Sequence, residues 1–128
     1  MARIVRHAKD VDRTEARGRL ERRRADVLST LEPIRARLRD SQLESGGEVA
    51  LADQHPADAA TETESRELDL TRQVMLEARV GEIDDALDRV ERGAYGRCIA
   101  CGRPIPAERL ELLPETPYCV TDAAANQR

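Results

Sequence analysis

Three cysteines and an aspartate near the C-terminus carry the clearest chemistry in this chain of 128 residues. Cys98 and Cys101 form a Cys-x-x-Cys pair, and Cys119 and Asp122 follow after seventeen intervening residues. A turn of this kind places two thiolates on one metal ion, and the returning segment completes the tetrahedron. The spacing therefore predicts a zinc site with three thiolate ligands and either Asp122 or water as the fourth.

Two other interpretations of this segment stay open. In the first, the segment folds without metal through the packing of apolar side chains, namely Ile99, Ile105, Leu110, Leu113 and Val120. In the second, Cys98 and Cys101 form a redox-active pair, because the thiol pKa in a Cys-x-x-Cys is often lowered. No strand and helix of the thioredoxin kind are predicted around the pair, which disfavours the second interpretation.

A second chemical feature is the stretch from His55 to Ala60. Pro56 suits a first helical turn and forces the preceding helix to end before it. Asp58 then falls in the first turn, where free N–H groups and the helix dipole favour a carboxylate. Between residues 44 and 69 there are eight acidic residues and one basic residue, so this reversal suits a basic channel or a metal ion. The plainer alternative is that these charges keep an exposed loop soluble.

Two long helices with apolar seams are predicted on either side of the reversal. The seam positions recur at steps of three, four or seven, as in a coiled coil. They are Leu20, Arg24, Val27, Leu31, Ile34 and Leu38 in the first helix, and Leu76, Val80, Ile83, Leu87 and Val90 in the second. Asp69 and Gln73 continue the second seam with polar side chains. Helices of similar length with a short connection favour antiparallel pairing, so we expect a monomer, with a homodimer as the alternative.

Glycine and proline residues predict where these helices bend and end. Pro33 predicts a kink near Leu31, and a Ser-Gly-Gly at residues 45–47 ends the first helix. The second helix is predicted to begin at Pro56 or Ala57 and to end at Gly93. The expected domains are a basic N-terminal arm (1–19), a hairpin (20–92) with its tip at 45–60, and a zinc-finger-like module (93–128).

The composition limits the class of protein. The chain has no Phe or Trp, two Tyr and 36% charged residues, which argues against a large globular core. Its apolar runs are short and its N-terminus lacks the apolar core of a signal peptide, so we expect a cytoplasmic protein without a membrane segment. The predicted fold is mainly α: a long antiparallel coiled-coil hairpin with a small C-terminal zinc-ribbon-like module and a short C-terminal helix.

The chain from about residue 20 onwards resembles the DksA/TraR family of bacterial transcription factors. The most specific motif is Cys98-x-x-Cys101-x-x-x-Ile105-x-x-x-Arg109-Leu110 followed by Cys119. The resemblance implies a zinc-binding globular end joined to a coiled-coil hairpin. It also implies a protein that is not an enzyme, and that inserts the hairpin into the secondary channel of RNA polymerase and alters the stability of promoter complexes.

The tip is implied by the same resemblance. DksA-like tips read Asp-x-x-Asp-x-Ala, and the matching positions here are His55, Asp58 and Ala60, with Pro56 also matching. His55 therefore replaces the first Asp of the tip. Asp122 likewise stands where the family's fourth Cys would be.

A pocket for the alarmone ppGpp is also known in the family. The positions that should supply its positive charges are occupied here by Glu82, Leu113 and Ala123. Because a carboxylate repels a tetraphosphate, the chain is expected not to bind ppGpp through this pocket.

Two functions of other classes remain alternatives. A DNA-binding zinc finger would explain the cysteines and the basic arm, but the segment from residue 93 onwards has no basic reading face, so no direct sequence-specific DNA binding is expected. A coiled-coil adaptor, or a thiol- or zinc-sensing protein, would use the helices and cysteines without acting on polymerase. It gives no reason for an Asp placed behind a proline at the turn.

Overall fold

Helices dominate the part of the chain that the structure describes. The computed structural model describes the backbone of residues 2–45 and 56–126, and the side chains of residues 13–41 and 60–126. Within these ranges the helices are α1 (Ala2–Ser45), α2 (Pro56–Arg92), α3 (Ala107–Leu112) and α4 (Val120–Asn126). None of these described helices is long and apolar enough to cross a membrane. The mainly α fold with a long helical hairpin is confirmed.

The first helix is longer at its N-terminal end than its sequence pattern predicts. It begins at Ala2, although residues 1–13 carry too few regularly spaced apolar residues to predict a helix. Once a helix exists, each further residue adds a hydrogen bond without a new nucleus, and residues 2–13 contain no Gly or Pro. The helix also runs through Pro33 as a single element, as expected, while the kink near Leu31 stays a prediction.

The second helix has the predicted ends. It begins at Pro56 and ends at Arg92, and Gly93 follows with a φ of 75°. The Ala94 N–H donates to the Arg89 carbonyl at 2.8 Å, and the Gly93 N–H donates to the Val90 carbonyl at 3.2 Å. This Schellman arrangement satisfies the last carbonyls of the helix and needs a left-handed residue, which glycine provides at low cost.

The first of two compact units, the module unit, comprises Met1–Ala25 and Val80–Arg128. Its buried apolar side chains are Leu20, Ile83, Ala86, Val90, Cys98 and Ile105. Arg24 pairs with Asp84 at 2.8 Å, and Arg17 pairs with Glu91. As the residue number increases along α1, the number of the partner residue decreases along α2. The two helices are therefore antiparallel in this unit.

The second compact unit, the hairpin unit, comprises Asp26–Arg79. Leu31, Ile34 and Leu38 are its buried apolar side chains among the described residues, and all three lie on the predicted seam. Arg35 pairs with Glu77 at 3.1 Å. This unit is therefore also antiparallel.

Asp69 is a buried polar residue on the seam of the hairpin unit. Its side chain is 12% exposed, and its two oxygens accept hydrogen bonds from the Arg37 guanidinium, both at 3.0 Å. The bond from Arg37 holds the pKa of the Asp69 carboxyl below its usual value. A shift of the helices along each other would leave a buried carboxylate unpaired, so the pair favours this register.

We expect the hairpin unit to lose stability in acid through Asp69. Because its folded-state pKa lies below the unfolded-state value of about 3.9, the pair stabilises the fold above that value. The contribution is lost as the pH falls through the folded-state pKa. Asp69→Asn should lower the free energy of unfolding at neutral pH by about 1 kcal/mol, since Arg37 is half-exposed, and should flatten its acid dependence. Urea unfolding followed by circular dichroism at several pH values measures both effects.

The matched control for this test is Asp84→Asn. It breaks the exposed pair with Arg24 and should leave the free energy of unfolding nearly unchanged, because solvent screens such a pair. Identical pH profiles for the wild type and Asp69→Asn would contradict the role given to the buried pair.

Candidate metal centre

A tight turn presents Cys98 and Cys101. The Cys98 N–H donates to the Arg103 carbonyl and the Gly102 N–H donates to the Cys98 carbonyl, both at 2.9 Å. Arg97 and Pro104 form an isolated antiparallel bridge at the base of the turn. Gly102 has a φ of 75°, a conformation that favours glycine. The turn is thus fixed by backbone bonds on both sides of the cysteine pair.

The other two side chains come from the start of α4. Cys119 directly precedes this helix, and Asp122 lies in its first turn. Residues three apart at this point lie on one face of the helix. The Ile99 N–H donates to the Pro117 carbonyl at 2.9 Å, and Arg109 Nε donates to the Tyr118 carbonyl at 3.0 Å. The first bond holds the segment before Cys119 against the cysteine turn, and the second holds it against α3.

The four side chains converge on one point. Their ligand atoms, three Sγ and one carboxylate oxygen, all lie within 4.8 Å of one another. Asp122 Oδ2 lies 2.9 Å from Cys98 Sγ and 3.2 Å from Cys119 Sγ, and Cys101 Sγ lies 3.9 Å from Cys119 Sγ. Two sulfurs bound tetrahedrally to zinc at about 2.3 Å would lie about 3.8 Å apart. The donor set fits one zinc ion, with an aspartate as the fourth ligand.

The packing of the module gives little support to the metal-free interpretation. Of the five apolar side chains expected to hold it together, Ile105 is buried and Leu110 is half-buried. Ile99 is 59% exposed, Val120 is 62% exposed and Leu113 is 37% exposed. A bound metal would join the two ligand pairs and supply stability that this packing does not.

The thiol chemistry does not favour a redox-active pair either. A backbone bond from Arg103 lowers the pKa of the Cys101 thiol, but Asp122, partial desolvation and the two neighbouring sulfurs together raise it to about 11. Burial and Asp122 raise the pKa of the Cys98 thiol, and bonds from the backbone of Cys119, Cys101 and Ala100 outweigh them and lower it. The exposed thiol is thus protonated at neutral pH, whereas the thiol with the lowered pKa is buried. A reactive pair needs an accessible thiolate.

Asp122 is charged in this cluster. Hydrogen bonds from Cys98, Cys101 and Cys119 lower the pKa of its carboxyl group. A carboxylate surrounded by three thiols is an anionic site for a cation, and the binding of zinc would release the thiol protons.

A buried ion pair attaches the module to α1 within the module unit. Glu115 is 2% exposed, and its Oε1 and Oε2 both accept hydrogen bonds from Arg23 Nε, the first at 2.8 Å. The Tyr95 hydroxyl donates to the adjacent Pro114 carbonyl at 2.7 Å. The sequence did not predict the burial of Glu115. The chain has 25 acidic residues, and nothing in the sequence pattern distinguishes Glu115 from the others.

Comparisons with known proteins place this arrangement in one family. The model of the family described as "Prokaryotic dksA/traR C4-type zinc finger" matches residues 93–121. The structure of transcription factor DksA2 from Pseudomonas aeruginosa is similar over 91% of this chain and 84% of that chain, with a TM-score of 0.72 and 27% identity. Residues 93–121 thus match the DksA/TraR zinc finger, and the fold is similar to that of DksA2.

Curated proteins match this chain over somewhat more than half of its length. The uncharacterized protein YteA of Bacillus subtilis is 41% identical over 71 residues, which are 56% of this chain and 30% of YteA. The RNA polymerase-binding transcription factor DksA of Caulobacter vibrioides is 36% identical over 72 residues, which are 56% of this chain and 51% of that protein. The aligned part is therefore about a third to a half of the length of these relatives.

The structure brings the predicted metal ligands together but describes the predicted tip residues only in part. Cys98, Cys101, Cys119 and Asp122 are brought together, and the match to the four-cysteine DksA/TraR finger ends one residue before Asp122. At the tip, Pro56 and Asp58 lie in the first turn of α2, with side chains outside the described residues, and Ala60 is exposed. His55 lies outside the described residues altogether. The functional role of the tip stays a prediction, as do the domain boundaries.

We expect purified protein to contain about one zinc ion per chain. Cys98→Ser should release the ion and loosen the module, because ligand binding and folding are coupled in modules of this size. Asp122→Cys should slow the loss of zinc to a chelator, since thiolate is the softer ligand. Elemental analysis and the rate of zinc transfer to a chromogenic chelator measure these effects. The zinc site would be contradicted if protein made with zinc supplied contained no metal and its module were nevertheless folded. Dispersed amide signals in the NMR spectrum would show that the module is folded.

We expect the protein to lose stability when only one member of the pair between Arg23 and Glu115 is replaced. Arg23→Met leaves a buried carboxylate without its cation and should lower the free energy of unfolding by about 3 kcal/mol, the low end of the usual range because Arg23 is partly exposed. Adding Glu115→Gln to Arg23→Met should restore part of this loss. Chemical denaturation of the two single variants and the double variant measures the coupling. Additive effects of the two substitutions would show that the residues do not stabilise each other.

Proposed function

We propose that this protein is a transcription regulator that binds RNA polymerase. The observation that carries the proposal is the likeness to DksA2, because it extends over 91% of this chain and includes the helical hairpin as well as the metal module. The relative from Caulobacter vibrioides has RNA polymerase binding in its name. In this proposal the protein is a cytoplasmic monomer, has no enzymatic activity and does not read DNA sequence directly.

The finer part of the proposal concerns the hairpin tip. The hairpin enters the secondary channel of the polymerase, and the tip residues His55, Pro56, Asp58 and Ala60 lie near the active site and modulate promoter open complexes. In support, α2 begins at Pro56, so Asp58 is carried by the first turn of a long helix. Thirty helical residues extend roughly 45 Å, a length that suits a deep channel.

Zinc has a structural role in this proposal. Cys98, Cys101, Cys119 and Asp122 hold the ion, and four protein ligands leave no open position for a substrate. The ion supplies folding energy by joining the cysteine turn to the start of α4. The function then depends on the ion only through the shape of the module.

The proposed action does not use ppGpp in the DksA-like pocket. Glu82 is exposed on α2, and Leu113 and Ala123 contribute no positive charge. A tetraphosphate needs several cations or N–H donors. The expected behaviour is therefore regulation without this nucleotide at that position.

The tip proposal predicts a separation between binding and effect. Asp58→Asn keeps a side chain that can accept hydrogen bonds at a helix start but removes the charge. It should leave the affinity for core RNA polymerase within a few fold and largely abolish the effect on the lifetime of open complexes. His55→Asp should strengthen that effect, because it restores the second carboxylate of a DksA-like tip. Pull-down with core polymerase and a promoter-complex decay assay measure the two quantities.

Glu62→Gln is the matched control, since it removes one acidic charge a turn further along α2. It should behave as the wild type in both assays. An Asp58→Asn variant that also behaves as the wild type in the decay assay would reduce Asp58 to a helix cap and refute the tip mechanism. A wild-type chain that does not bind core polymerase would refute the whole proposal and favour a coiled-coil adaptor or a thiol- or zinc-sensing protein.

A further inference from the structure

A cleft with three arginines lies between the helices of the hairpin unit. Its volume is about 250 Å³, and its lining residues are Arg35, Leu38 and Arg39 from α1 and Arg66, Leu70 and Gln73 from α2. Of the two leucines, Leu38 is buried and Leu70 is 43% exposed, and the polar groups of the lining are donors or amides. Among the residues whose side chains the structure describes, no acidic residue lines the cleft.

The three arginines differ in their partners. Arg35 pairs with Glu32 at 2.9 Å and with Glu77 at 3.1 Å, so its charge is compensated. Among the described residues, neither Arg39 nor Arg66 makes a hydrogen bond or an ion pair. Within the described part of the chain, two guanidinium groups therefore line one cleft without a carboxylate partner.

The antiparallel register brings these two arginines to the same cleft from different helices. Arg37 of α1 is bonded to Asp69 of α2, and two residues further along α1 and three residues back along α2 are Arg39 and Arg66. Elsewhere in the same unit, charges that meet across the helices are of opposite sign, as in Arg35 with Glu77. Like charges across a helix pair destabilise it, and an anion between them would remove that cost.

We propose that this cleft binds a phosphate-type oxyanion with two or more negative charges, such as pyrophosphate or the phosphate chain of a nucleotide. The planar fork of arginine matches phosphate oxygens in pairs, and two such forks from different helices can clamp one ligand. The Gln73 amide offers a further donor. The site is independent of the proposed binding to polymerase.

Calorimetric titration of the zinc-loaded full chain with pyrophosphate at constant ionic strength tests the proposal. Saturable binding of one pyrophosphate per chain is expected. Arg39→Gln and Arg66→Gln should each weaken it about tenfold or more, since each removes a charge-assisted bond. Arg22→Gln, at an exposed position of α1 outside the cleft, should leave the affinity unchanged. Any contact of pyrophosphate with zinc would persist in all three variants.

Thermal unfolding provides a second readout, because a ligand that binds only the folded state raises the melting temperature. At one fixed concentration, pyrophosphate should raise it by as much in Arg22→Gln as in the wild type, and by clearly less in Arg39→Gln and Arg66→Gln. Both cleft variants should fold normally, as neither arginine has a partner to lose among the described residues. Titration with inorganic triphosphate and with ATP then separates the sources: equal affinities assign the site to the phosphate chain alone, and tighter binding of ATP assigns it to a nucleotide.

Three results would overturn the proposal. The first is the absence of saturable binding. The second is an equal loss of affinity in Arg22→Gln and the cleft variants, which would indicate general attraction to positive charge. The third is binding of citrate as tightly as pyrophosphate, which would show that the cleft does not select phosphate oxygens.

Discussion

A shortage of apolar volume constrains this fold more than any other factor. Without Phe or Trp, the helices meet along narrow contacts, and charged groups have to complete them. Each unit buries one carboxylate, Glu115 in the module unit and Asp69 in the hairpin unit, among the described residues. In both cases the partner arginine stays partly in water, with side-chain exposures of 29% for Arg23 and 55% for Arg37. The desolvation cost therefore falls mainly on one member of each pair.

The same shortage explains why the metal centre and the packing of the module cannot be treated separately. Among the described residues of the module, Ile105 is the buried aliphatic side chain. The backbone bonds of the cysteine turn and the four candidate ligand side chains therefore have to fix the shape of the module. Asp122 keeps the formal charge that a fourth thiolate would have, but it is a harder ligand. An acidic residue in the first turn of α4 is also favoured by the helix dipole. The carboxylate of Asp122 is thus placed both to stabilise the helix start and to act as a metal ligand.

The spacing of apolar residues and the positions of glycine and proline predicted most of this architecture, because both determine structure locally. The steps of the seam located Leu20, Leu31, Ile34, Leu38, Ile83 and Val90 in the buried contacts, and Gly93 marked the end of α2. The cysteine spacing located the metal centre for the same reason. The burial of Ala86 was not predicted. A strict heptad assigns the seam position to Leu87, but the observed contact also includes the smaller side chain of Ala86. The burial of Glu115 was unpredictable, since it depends on Arg23, which is distant in sequence.

Charge compensation in the acidic part of the chain depends on geometry more than on composition. Between residues 44 and 69 there are eight acidic residues and a single basic one, Arg66, so composition alone would predict that Arg66 is neutralised. Asp69 lies three residues away on the same helix, at a spacing that allows an ion pair, but both of its oxygens are bonded to Arg37. The pair that favours the register of the hairpin unit thereby leaves Asp69 without a free oxygen for Arg66. A cationic cleft in a strongly acidic segment is thus a consequence of how the buried carboxylate is satisfied.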